Sequence, residues 1–263
     1  MRKFILFILS WLWGGLFFYL FFNLFIQQVF TVEKKDVLIR AAGLLLVGLV
    51  ILLKLLIRSS WRSADFWSLS VPVVMFQLAA VIFILFLEGD ATKIIFLAIS
   101  ALALSFYLYS LWLFYFYPEK YQAFTLLNLS WYLQIVSLFM LAVAWFGLMV
   151  IIHFSVYYLL LVETVFLGII FTQLWYMYKL EFNKKFWQFL FISILIGGQT
   201  LLVISFLPIS FFVLGFLFVQ FVYLLLQTIF DLINHSFSEK RFFYLTGGIF
   251  ILTVFLLFTT RWL

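Results

Sequence analysis

Leu44 to Leu53 reads LLLVGLVILL and Phe211 to Val219 reads FFVLGFLFV, and neither run carries a polar side chain at any position. A strand of a membrane barrel alternates inward and outward residues over about ten positions, so runs without alternation exclude a barrel. A soluble fold is excluded by what surrounds them. The 263 residues are 68% hydrophobic and only 10% charged, whereas about a quarter of the residues of a soluble domain are charged. In hydrocarbon every backbone polar group needs an internal partner, which leaves helices as the remaining solution. The expected fold is an all-α, polytopic bundle of transmembrane helices, a single integral membrane domain over 1–263 with no soluble domain.

A crossing needs roughly 20 apolar residues at about 1.5 Å per residue. Charge clusters then divide the chain into nine expected spans: 4–30, 37–57, 71–87, 94–117, 124–147, 154–178, 187–207, 209–232 and 242–260. Two divisions rest on weaker punctuation. The stretch 124–178 is far too long for one crossing, and Gly147 with His153 and Ser155 puts the turn between 147 and 154. In 187–232, Leu207-Pro208-Ile209-Ser210 reads as a tight turn, because proline lacks the amide hydrogen that a helix interior uses. Pro72, after Ser68 and Ser70, is expected to open the third span. Met1-Arg2-Lys3 followed by apolar residues resembles a signal peptide, but the run is too long for one and is read as an uncleaved first span.

Nine alternating spans place Arg2, Lys3, Lys54, Arg58, Arg62, Lys120, Lys179, Lys184, Lys185, Lys240 and Arg241 on the side of the N-terminus, eleven of the 16 basic residues. Lys34, Lys35, Arg40, Lys93 and Arg261, the other five, fall opposite. The bias of Lys and Arg towards the cytoplasm then predicts a cytoplasmic N-terminus and an external C-terminus in a cell inner or plasma membrane. Trp61, Trp67, Tyr115, Tyr117, Tyr121, Trp175, Tyr176, Tyr178 and Trp187 fall at the same span ends, as an interfacial belt does. The segment Arg58 to Ser70 is expected to lie along the headgroups.

The net charge of +6 is accounted for by this asymmetry, and no basic domain exists to bind nucleic acid. The absence of cysteine removes disulfides, thiol nucleophiles and thiolate metal sites. His153 and His235 are expected on opposite sides of the membrane, which removes a bis-histidine haem or metal site. Lys54, the only lysine within a span, lies at a span end where its stem reaches the interface, which argues against retinal attachment. No cofactor or metal is expected, and no catalytic residue is assigned.

Function therefore rests on polar residues inside spans, where they are costly and face a bundle interior or a wet cavity. Glu163 is the one deep charge. With Ser155 and Gln173 it shares an arc of about 80° on a helical wheel, as either a proton or cation site or a protonated acid bonded to a neighbouring helix. Gln220, Tyr223, Gln227, Asp231 and Asn234 recur at spacings of three and four on span 8, as a polar groove or as hydrogen-bonding glue between helices. Gln199 is expected at the depth of Gln220, and Gln77 and Gln134 also lie inside spans. The Gly14-Gly15, Gly197-Gly198 and Gly247-Gly248 pairs are expected at close helix contacts.

The leading functional expectation is a non-enzymatic membrane protein, a structural or accessory subunit or a scaffold, with membrane lipids and other membrane subunits as partners. The alternative is a small permease with Glu163, Gln199 and Gln220 as a midplane site and Gln227 and Asp231 as its exit. A lipid-modifying enzyme using Glu163 or Asp231 as a base is a third, held back by the lack of a visible partner for either carboxylate.

Overall fold

A computed structural model of the protein describes residues 2–25, 35–122, 125–233 and 237–260. These residues form nine α-helices: α1 (Arg2–Phe25), α2 (Lys35–Leu56), α3 (Ala64–Phe83), α4 (Asp90–Phe116), α5 (Thr125–Ile152), α6 (Val156–Met177), α7 (Lys184–Ser205), α8 (Phe211–Ile233) and α9 (Glu239–Thr259). All nine are long and apolar enough to cross a membrane, and the described residues contain no strand. The protein is a polytopic helical membrane protein.

Helix ends are set by local chemistry. The Ser63 side chain accepts the Phe66 amide at the start of α3, and Asn183 accepts the Lys185 amide at the start of α7, each meeting one of the donors a helix start leaves over. At the end of α6, Lys179 takes the left-handed φ of 55°, and the Lys179 and Leu180 amides return to the Tyr176 and Trp175 carbonyls at 2.9 and 3.2 Å, closing the helix as a Schellman turn. The break at Pro208 falls where expected, with α7 ending at Ser205 and α8 beginning at Phe211.

Two boundaries move. The first helix is described from Arg2 to Phe25, and residues 26–30 of the expected first span lie outside the described residues. Gly147 does not end α5, which continues to Ile152; the chain turns at His153, whose φ is 55°. Without water to compete for its backbone groups, a glycine in an apolar helix keeps its hydrogen bonds. The third helix begins at Ala64, so Pro72 lies in its interior and the latter half of the segment 58–70 is helix rather than interfacial loop. Pro72 brings no amide hydrogen to the helix, and the Leu69 carbonyl of the same turn accepts the Tyr107 hydroxyl of α4 at 2.7 Å. Such donation by neighbouring side chains is what lets membrane helices keep a proline.

The chain divides into two compact units, Met1–Ser137 and Leu138–Leu263, with the division inside α5. In the first, α1 lies closest to α4. A Cβ on Gly14 would overlap the Ala101 carbonyl and the Ser105 hydroxyl, whereas Gly15 has open space. Trp13 fills the notch at Gly48 of α2 and donates its indole N–H to Gln77 Oε1 of α3 at 3.2 Å. Tyr107, fully buried, also lies 3.1 Å from Ser130 Oγ of α5. At one end of this unit cations cover aromatic rings: Arg58 over Phe116 at 4.4 Å, Lys54 over Trp61 at 5.4 Å, and Lys3 over Tyr117 at 5.1 Å.

In the second unit α6 packs on α7, α7 on α8, and α8 on α9. The glycine that comes closest to another helix's backbone in this unit is Gly215 of α8, facing α5, where an added Cβ would lie 2.6 Å from Val143 Cγ2 and 2.8 Å from its backbone nitrogen. Phe171, Trp175, Phe186 and Phe230 form one aromatic cluster between α6, α7 and α8. No side chain of α9 is buried, and Gly247 and Gly248 have nothing within 4 Å, so that pair makes no close contact among the described residues.

The loop before α5 carries a titratable cap. The Tyr121 hydroxyl accepts the Leu126 amide at 2.7 Å, meeting one of the free donors of the first turn. Burial pushes the Tyr121 phenol up from its ordinary value, and the Leu126 hydrogen bond offsets part of that. A phenol raised in the folded state stabilises fully below the ordinary tyrosine value of about 10 and loses that contribution as pH rises through the folded one. Tyr121→Phe is therefore expected to lower stability by about 1 kcal/mol at neutral pH and to narrow its gap to the parent above about pH 10. Thermal unfolding in detergent at both pH values checks this, and a gap that widens at alkaline pH would refute it.

Candidate functional site

The inward stripe of α6 is Leu159, Glu163, Leu167, Ile170 and Leu174, all buried. Glu163 thus occupies a position that its neighbours at i−4 and i+4 fill with leucine. It lies seven residues into α6, about 10 Å along the axis, and has no solvent exposure. Its carboxyl points at α7. A Cβ on Gly197 would lie 2.6 Å from Glu163 Oε1, one on Gly198 would lie 3.9 Å from Oε2, and the methyls of Leu160 and Leu167 close the same notch. The glycine pair of α7 therefore makes the room that the carboxyl occupies. Neither carboxyl oxygen has a hydrogen-bond partner among the described residues.

Gln173, also on α6, is buried, and its amide nitrogen contacts Met177 Sδ one turn later. Ser155 stands exposed at the start of the helix. The arc expected to hold Ser155, Glu163 and Gln173 together thus has three different environments.

The stripe on α8 faces α9. Gln220 Oε1 accepts the Thr253 hydroxyl at 3.1 Å, Gln227 Nε2 donates to Asp231 Oδ1 at 2.9 Å, and Asp231 lies 3.7 Å from the Arg241 guanidinium. Gln220 pairs with Thr253 and Asp231 with Arg241, so advancing along α8 retreats along α9, the register of an antiparallel hairpin. The Asp231–Arg241 pair is partly exposed and is worth at most about 1 kcal/mol. Tyr223 is half-buried on the same helix, and Asn234 and His235 lie outside the described residues.

Gln199 goes the other way. It is exposed on the outer face of α7 with Ile192, Leu195, Ile196 and Val203, two residues past the notch that holds Glu163. The expected cluster of Glu163, Gln199 and Gln220 is not joined by any hydrogen bond among the described residues. No group of three His, Cys, Asp or Glu converges among them either.

Comparison with models of known protein families, with curated proteins and with solved structures found no match to this chain.

Two contributors to this arrangement carry no motif. Trp13 and Tyr107 each join three elements through one polar atom or ring, and the signal for both is a polar-tipped aromatic at mid-span, whose N–H or O–H needs a partner.

Proposed function

We propose that the protein is a non-enzymatic subunit of a membrane assembly, holding a partner membrane protein against the outer face of α7. Gln199 carries this reading. It lies six residues from the end of α7, about 9 Å inside the helix terminus, on a face otherwise made of Ile192, Leu195, Ile196 and Val203. A primary amide turned towards lipid tails has no partner there, whereas an amide at a helix interface finds one on the facing helix. Elsewhere the polar groups of the spans serve as helix links: Trp13 with Gln77, Tyr107 with Ser130, Gln220 with Thr253. A permease would gather Glu163, Gln199 and Gln220 at one site, and the outward direction of Gln199 favours the subunit reading over it.

The same reading takes the N-terminus as cytoplasmic and the C-terminus as external, supported by eleven of the 16 basic residues on one side. Lipid headgroups are then the partners of the cations at Lys3, Lys54 and Arg58. Reporter fusions at the two termini check the orientation, and a shared location would contradict it.

Photo-crosslinking from position 199 in native membranes tests the subunit reading, with Phe258 of α9, also exposed, as the control position. A protein adduct of one defined mass from 199 and none from 258 is expected. Gln199→Leu is expected to weaken that association about fivefold, the loss of one interhelical hydrogen bond of about 1 kcal/mol, without lowering the stability of the isolated chain. Adducts to lipid alone from both positions would refute it.

A further inference from the structure

The subunit reading makes no use of the Glu163 carboxyl. We propose that Glu163 and the Gly197–Gly198 face of α7 form a proton-binding site inside the bilayer, at which the carboxyl takes up and releases a single proton. Two independent observations meet there: a fully buried carboxyl with neither oxygen hydrogen-bonded among the described residues, and two consecutive glycines whose missing side chains leave the space it enters. A purely structural acid at a helix interface donates its O–H to an acceptor on the facing helix. A space-filling residue would be another leucine, as at 159 and 167.

The ligand is set by the donor set. A metal cation of the hard, oxygen-binding type needs about six oxygens, and this notch offers one carboxyl walled by Leu160 and Leu167. A proton needs one oxygen. Among the described residues of 138–263, the site also stands apart from other charges. On α7 the buried side chains facing inward are Phe186, Ser193, Leu201 and Ile204, and the Ser193 hydroxyl is committed to the Phe189 carbonyl at 2.8 Å. Lys184 and Lys185 lie at the first turn of α7, about 18 Å along the axis from Gly197. Residues 138–152 of α5 contain no titratable side chain. The only ones on α8 are Tyr223 and Asp231, the latter bound to Gln227 and Arg241. On α6 itself Tyr157 and Tyr158 are exposed, and Tyr176 lies beyond Gln173 in the last turn. One carboxyl thus exchanges one proton, uncoupled from a second acid.

The experiment uses dicyclohexylcarbodiimide on the intact protein in lipid bilayers. This apolar reagent reacts with the neutral acid. The carboxyl proton moves to a carbodiimide nitrogen, the carboxyl oxygen bonds to the central carbon, and the adduct rearranges to a stable N-acylurea with no leaving group. The expected result is one adduct, mapped to Glu163 by mass spectrometry. Its rate should fall by at least about tenfold as the pH is raised and the neutral form is lost. A carboxylic-acid carbonyl band in the infrared should fall in parallel and return on reacidification. Glu163→Gln should lose adduct and band. Gly197→Ala, whose Cβ meets only the mobile ends of Glu163 and Leu167, should change the labelling rate several-fold. If Glu163→Gln does not accumulate, the peptide map and the infrared titration of the unaltered chain decide. A carbonyl band that does not respond to pH, or an adduct absent from Glu163, would overturn the proposal.

Discussion

Gly215→Val is expected to abolish accumulation of the folded protein, while Gly247→Val leaves it near the parental level. Both glycines lie inside helices that run for more than twenty residues, so propensity predicts the same modest gain for each when a side chain is added. Packing reverses the sign at one of them. At Gly215 the first added carbon would lie 2.8 Å from the Val143 backbone nitrogen and 3.0 Å from its Cα, and a backbone inside α5 cannot rotate aside as a side chain can. The helices must separate, which opens the contacts of Trp145 and Phe146 with Phe218 one turn away. Overpacking of this kind costs about 3 kcal/mol or more, a large share of a total stability of about 5–15 kcal/mol. Gly215→Ala should show a smaller loss in the same direction, and Gly247→Ala a gain of about 0.5–1 kcal/mol. Membrane accumulation of the two valine variants and thermal unfolding of the two alanine variants in one detergent measure this, and equal effects at 215 and 247 would contradict the contact.

Tyr107→Ala is expected to cost about 3–5 kcal/mol, the range of a buried aromatic truncated to alanine, and Tyr107→Phe about 1–3 kcal/mol. The two numbers separate packing from the hydroxyl. Tyr107 is fully buried, and its hydroxyl serves the Leu69 carbonyl and Ser130 Oγ at once. Phenylalanine keeps the ring but withdraws the donor from α3 next to the turn that Pro72 has already weakened. Replacing Pro72 by alanine returns an amide hydrogen to that helix, so Pro72→Ala is expected to recover part of the loss in Tyr107→Phe. A double-mutant cycle on unfolding free energies checks this coupling. Strict additivity would mean that the hydroxyl and the proline are unrelated.

Much of the architecture was legible because the bilayer restricts what an apolar run can be. Length and charge gave nine helices, and proline chemistry gave the break at Leu207 to Ser210. What an apolar helix does not declare is which way it faces. Lipid tails and neighbouring helices accept the same leucines, so the periodicity that orients a soluble helix is weak here. That is why Gly247 and Gly248 read as a contact and stand in open space, while the lone Gly215 drew no notice and packs directly against the α5 backbone. Gln199 meets the same limit: its place within a span was readable, and the face of α7 that carries it was not. Glu163 was identifiable as the deep charge, because a carboxyl in a span is conspicuous by type alone. That a glycine pair on the next helix makes its room is a property of two helices together, visible only once both are placed.

The bare flank of α9 has a kinetic meaning. A helix with no buried side chain, whose links to α8 include the Thr253–Gln220 hydrogen bond and the partly exposed Arg241–Asp231 pair, is the most exposed of the nine. Its detachment from α8 should be the first opening the molecule samples, far below the free energy of global unfolding. Each excursion uncovers the Gln220 carbonyl and the Asp231 carboxylate together, so hydrogen exchange should register the hairpin as one cooperative unit that breathes while the aromatic cluster around Trp175 stays shut.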